Sequence, residues 1–146
     1  MYPQKYAAVY MPISLVAGRV RTPEFSVRKR SQYDIMLQFE KPLPFRQMVC
    51  MVGVTSSPLD KKDCGKGDPI VRVDWTVWDD GRIVEWGSIR DNCGCLFTNE
   101  NIFKQVGSFP LEGGENYVVQ VHFTKDGSAL NVASPHLIVI PHQEMW

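Results

Sequence analysis

Apolar side chains recur at every second position along three stretches of the chain. Tyr33, Ile35, Leu37 and Phe39 alternate with Asp34, Met36 and Gln38. Val71, Val73, Trp75 and Val77 alternate with Arg72, Asp74 and Thr76. Tyr117, Val119, Val121 and Phe123 alternate with Val118, Gln120 and His122. Successive side chains of a strand point to opposite faces, so a period of two predicts strands with one apolar face each. β-branched and aromatic residues dominate all three, as a pleated, half-buried surface favours. Weaker strand patterns cover 9–20, 25–29, 105–111 and 136–140.

One turn fixes a register. Asp80-Gly81 between two apolar runs is a type I′ hairpin signal. A two-residue loop pairs Asp79 with Arg82, Val77 with Val84 and Trp75 with Trp86, which predicts both tryptophans on the core face. A three-residue loop would set Glu85 against Trp75 and bury a charge. Trp78 then falls on the opposite face, beside Arg72 and Asp74. Cover by the N-terminal segment or the helix is the bland account of it, and a contact surface for sugar or protein is the functional one.

One segment departs from the period. Phe45, Met48, Val49 and Val52 follow helical spacing, with Pro44 ahead and Gly53 behind. This predicts a short helix over about 44–52. A second helical turn is expected over 98–103, capped by Thr98. No internal repeat or linker divides the 146 residues. The expectation is an all-β fold, a single antiparallel β-sandwich domain over 1–146 with about seven or eight strands and one short helix.

Composition narrows the partners. Lys plus Arg and Asp plus Glu are 16 each, a balance that argues against nucleic acid. No apolar run approaches a membrane span of about 20 residues. The best apolar stretch, 7–18, is interrupted by Pro12 and makes a poor signal peptide. It reads as part of the fold, and if the native protein is exported its signal is expected to have been removed.

Four cysteines, Cys50, Cys64, Cys93 and Cys95, point to two disulfides and an exported protein, with the cytoplasm as the alternative. Extending the hairpin register sets Asp68 opposite Cys93. That favours a bridge from Cys64 to Cys93 or Cys95, leaving the other for Cys50. The local pairing, Cys50 with Cys64 and Cys93 with Cys95, closes a small strained ring across Gly94 and ranks lower.

Catalytic signals are thin. The chain has no G-x-S-x-G elbow, P-loop or G-x-G-x-x-G. Cys64-Gly-Lys-Gly lacks the helix that would cradle phosphate. Cys93 and Cys95 with His122 or His136 lack zinc-site spacing, and a Cys/His nucleophile pair lacks an orienting group. Asp60, Asp63 and Asp68 lack calcium-loop spacing. Asp79 and Asp80 suit a turn. Arg28, Lys29 and Arg30 read as a solvated edge. The expectation is a protein that is not an enzyme and holds no metal or cofactor.

The chain resembles a family of small proteobacterial proteins of unknown function. The likeness rests on Phe25-Ser-Val27-Arg-Lys29, Tyr33-Asp-Ile35-Met-Leu37-Gln-Phe39, Gly107-Ser-Phe109, Tyr117-Val-Val119-Gln-Val121 and Pro135-His-Leu137-Ile-Val139. It runs over about 20–140, mostly through core positions, so it specifies a fold more than an activity. It implies an exported or lipoprotein-like protein, of the kind that neutralises antibacterial effectors; this chain shows no lipoprotein signal. The leading expectation is therefore a periplasmic immunity protein that covers a toxin with loops of 56–68 and 91–100. Its binding residues would be Asp60, Lys61, Lys62, Asp63, Lys66, Asp91, Asn92, Asn99 and Glu100, with Trp78 on the sheet. The alternative is a carbohydrate-binding module that stacks a glycan on Trp78.

Overall fold

The computed structural model describes residues 3–53, 64, 69–89 and 95–145. It contains two antiparallel sheets packed face to face. Ten strands run β1 (Val9–Pro12), β2 (Gly18–Arg21), β3 (Phe25–Ser26), β4 (Ser31–Glu40), β5 (Val73–Asp79), β6 (Arg82–Ser88), β7 (Cys95–Phe97), β8 (Asn101–Leu111), β9 (Asn116–Phe123) and β10 (His136–Pro141). Short helices are α1 (Pro3–Tyr6), α2 (Phe45–Val52) and α3 (His142–Met145), with a 3-10 segment at Ser128–Ala133. The first sheet has the order β1-β10-β4-β8-β7, and the second β2-β9-β5-β6, with β3 also on β9.

The predicted sandwich is present, with more and shorter strands than the pattern suggested. The apolar stretch 9–20 is two strands, not one: β1 joins the first sheet and β2 the second. Between them Leu15 is fully buried. Its N–H donates to Asn131 Oδ1 at 2.9 Å, and its carbonyl accepts from Gly127 N at 2.8 Å. The alternating sets meet in the core, where Ile35, Leu37, Phe39, Val77, Val119 and Val121 are all fully buried.

Helix α2 matches its expected range. Gly53 closes it at φ 85°, a left-handed cap that strongly favours glycine, and donates to Val49 O at 3.0 Å. Lys104, 3% exposed, donates to the Gly53 carbonyl, so a cation sits where the helix dipole is negative. The helical turn expected over 98–103 does not form. Thr98 instead closes the β7–β8 hairpin, its Oγ1 accepting from Asn101 N at 3.0 Å.

Strand β4 is buried on both faces, contrary to a solvated outer face. Met36 and Asp34 on that face are fully buried. Met36, Phe103, Ile138, Ile140 and Met145 form a second apolar cluster, with Ala7 and Tyr10 at its margin. The chain ends supply the cover. Helix α3 places Met145 in the cluster and sets His142 Nδ1 2.7 Å from Asp34 Oδ2.

The β8–β9 turn is tied by Tyr117. Its hydroxyl accepts from Glu112 N at 2.9 Å and donates to Glu112 O at 3.2 Å, the local arrangement of a tyrosine corner. Burial raises the Tyr117 phenol above its ordinary pKa, partly opposed by that backbone bond. Burial also raises Tyr33.

Candidate functional site

The β5–β6 hairpin turns as expected and then departs from its regular register. Asp80 and Gly81 have φ 49° and 77°, as a type I′ turn requires. Asp79 pairs with Arg82 and Trp78 with Ile83. The ladder then shifts: Val77 pairs with Glu85, Thr76 with Trp86 and Trp75 with Gly87. Val84 is the extra residue of a β-bulge, and a one-residue shift moves side chains to the other face. Trp86, expected in the core opposite Trp75, is therefore 72% exposed, while Trp75 is 6% exposed.

Trp75 explains the shift. A Cβ added at Gly87 would lie 2.7 Å from its ring, and one at Gly107 only 2.4 Å. The indole fills the slot between these two glycines and packs on Phe109 with centroids 5.3 Å apart. A tryptophan opposite Trp75 would have nowhere to go. The sequence signal was Gly87 beside Trp86, but its meaning depended on Gly107, from another strand.

The outer face of the second sheet is consequently open and aromatic. Its rows follow from the register. Ser88, Asp74, His122 and Arg19 form one; Trp86, Thr76, Gln120 and Arg21 the next; Ile83, Trp78 and Val118 a third. Ile83 and Val84 are 47% and 41% exposed. Beside Trp86 lies a hollow of about 160 Å³ lined by Arg19, Asp74, Trp75, Thr76, Gln120 and His122.

Trp78 lies on this face as expected, but only half-buried and already engaged. Its Nε1 donates to Thr76 Oγ1 at 2.9 Å, and the Arg21 guanidinium sits 5.7 Å from its ring centroid. Trp86, not Trp78, offers the free ring. Asp74 Oδ1 accepts from Ser88 Oγ at 2.7 Å. Arg19 is exposed, with no carboxylate of the described residues at ion-pair distance.

Other expected binding residues lie elsewhere. Asn99 and Glu100 occupy the β7–β8 turn and line an open cleft of about 500 Å³ with Gln38, Glu40, Lys41 and Asn101. That cleft belongs to the first sheet, so these residues are not brought together with Trp78. Asp60, Lys61, Lys62, Asp63, Lys66, Asp91, Asn92 and Cys93 lie outside the described residues.

The cysteine pairing also differs from expectation. Cys50 is bonded to Cys64, with a Cα–Cα distance of 5.2 Å. Strand β5 begins at Val73, and residue 68 and Cys93, on which the expected register rested, lie outside the described residues. The chain comes back against α2, where Ile70 N donates to Met51 O at 2.9 Å. Cys95 is disulfide-bonded too. Among the described residues no group of three or more His, Cys, Asp and Glu is placed to hold a metal, and no helix is long and apolar enough to cross a membrane.

No protein-family model matches the chain, and no curated protein matches it. Among solved structures, a crystal structure from Sulfurospirillum deleyianum is similar, with a TM-score of 0.63 at 12% sequence identity. The similarity covers 92% of this chain and 97% of that one. At that identity the likeness is one of fold.

Proposed function

We propose that the protein is a non-catalytic binding module that carries a glycan on the outer face of its second sheet. One observation bears most of the weight: Trp86 stands 72% exposed, one strand position from Thr76 at the border of the hollow. Leaving a large apolar side chain in water forgoes about 1.5–3 kcal/mol of burial, and Trp86 adds no packing to the core in return. A flat ring beside Thr76, with Gln120 and His122 one strand further on, suits a saccharide, whose C–H face stacks while its hydroxyls hydrogen-bond sideways.

The test is glycan retention by affinity electrophoresis. Trp86→Ala should abolish retention and leave the circular dichroism spectrum and the unfolding midpoint nearly unchanged. Trp78→Ala should weaken retention less, because Arg21 covers that ring. Undiminished retention by the Trp86 variant would remove the reading.

A second reading is favoured by Ile83 and Val84, which widen the patch beyond what a sugar needs. Trp, Arg and aliphatic residues around one exposed anchor suit a protein partner. The partner would be an antibacterial effector, neutralised in the periplasm, and the Cys50–Cys64 bridge is compatible with an oxidising compartment. Inhibition of an effector encoded beside this gene, lost in Trp86→Ala, would select this reading over the glycan.

A further inference from the structure

We infer that the saccharide recognised by this face carries a carboxylate, as a uronic acid does. The inference rests on the glycan reading above and adds the charge of the ligand. Arg19 and Arg21 are alternate residues of β2, so both guanidiniums rise on the outer side of the sheet. Arg21 is held over Trp78, whereas Arg19 borders the hollow without a carboxylate partner among the described residues.

The acidic side chain in these rows, Asp74, does not neutralise Arg19. It stands two strands away with His122 between, a backbone separation of about 10 Å. Its oxygen is also engaged by the Ser88 hydroxyl. The row therefore runs from acceptor to donor: Asp74 at one side, His122 in the middle, Arg19 at the other. A neutral sugar would satisfy Asp74 with a hydroxyl and leave Arg19 with weak partners. A uronate offers both groups, since its carboxylate accepts two parallel N–H bonds from a guanidinium. Phosphodiesters fit less well, because they bring no hydroxyl for Asp74. The balanced net charge of the chain also argues against nucleic acid.

The experiment uses the full chain and matched β-1,4-linked tetrasaccharides that differ only at C6: glucuronate against glucose, and mannuronate against mannose. Titration calorimetry should give at least one acidic member an affinity about tenfold above its neutral twin at low salt. That advantage should narrow toward unity at about 1 M salt, where the Debye length is about 3 Å. Arg19→Gln should bring the acidic member down to the affinity of its neutral twin, while Trp86→Ala should lose both. Equal binding of the acidic and neutral twins would overturn the carboxylate assignment and leave the stacking platform standing. Binding of none of them would overturn the platform as well. A preference that survives Arg19→Gln would place the carboxylate elsewhere and defeat the assignment.

Discussion

Two tryptophans 11 positions apart in one hairpin have opposite fates because of two glycines. Trp75 occupies the space that side chains at 87 and 107 would need, and every methyl added there must displace an indole or a strand. Gly107→Ala is the sharper case, with the new carbon 2.4 Å from Trp75 Cε2. Overpacking of this kind costs about 1–3 kcal/mol. The same substitution in a Trp75→Leu background should cost much less, since the obstructing ring is gone. Urea unfolding of the four proteins would give the coupling. If the two costs add independently, the slot does not set the register and the exposure of Trp86 needs another cause. By contrast Trp86→Ala should shift stability by no more than about 0.5 kcal/mol, as surface substitutions do.

Elements whose signals are local were legible in the sequence; those that depend on distant neighbours were not. Helix α2 was readable because Phe45, Met48, Val49 and Val52 share a face and Gly53 caps it. The Asp80-Gly81 turn was readable because only certain residues tolerate positive φ. The bulge at Val84 was not, because its cause lies on β8. The disulfide partner was not either. Extending the hairpin ladder ignored the backbone bond from Ile70 to Met51 that brings the chain back over α2. That bridge spans 14 positions, and closing a loop of about 15 residues stabilises by about 3 kcal/mol in the chain-entropy account. The double variant Cys50→Ala/Cys64→Ala should lower the unfolding free energy by about that amount and keep the same strand content. Unfolding in non-reducing urea, which leaves the Cys95 bridge in place, measures it. An unchanged midpoint would mean that the helix and the returning chain hold the loop without the bond.

At the scale of the molecule the two outer faces are treated differently: the first is covered around Met36, and the second keeps Trp86 exposed. The first sheet is sealed by the chain ends, whose late contribution no strand pattern could announce: Met36, Ile138 and Ile140 are fully buried only because Met145 and the residues around Ala7 and Tyr10 lie over them. Asp34 is fully buried beneath the same cover, with His142 2.7 Å away. Deleting residues 142–146 would therefore expose apolar side chains and strip a buried carboxylate of an ionisable neighbour. Losing a partner from such a pair costs about 3–5 kcal/mol when it is well buried, and the exposure of His142 (its side chain 47% accessible) moves the expectation to about 1–3 kcal/mol. The truncated protein should bind a hydrophobic dye strongly and unfold at lower urea. Binding of the glycan proposed above, measured below the new midpoint, should stay within about twofold, because substitutions at separated sites without shared partners act independently. A loss of binding in parallel with the dye signal would show that the second sheet is not an autonomous platform and that recognition draws on the terminal layer.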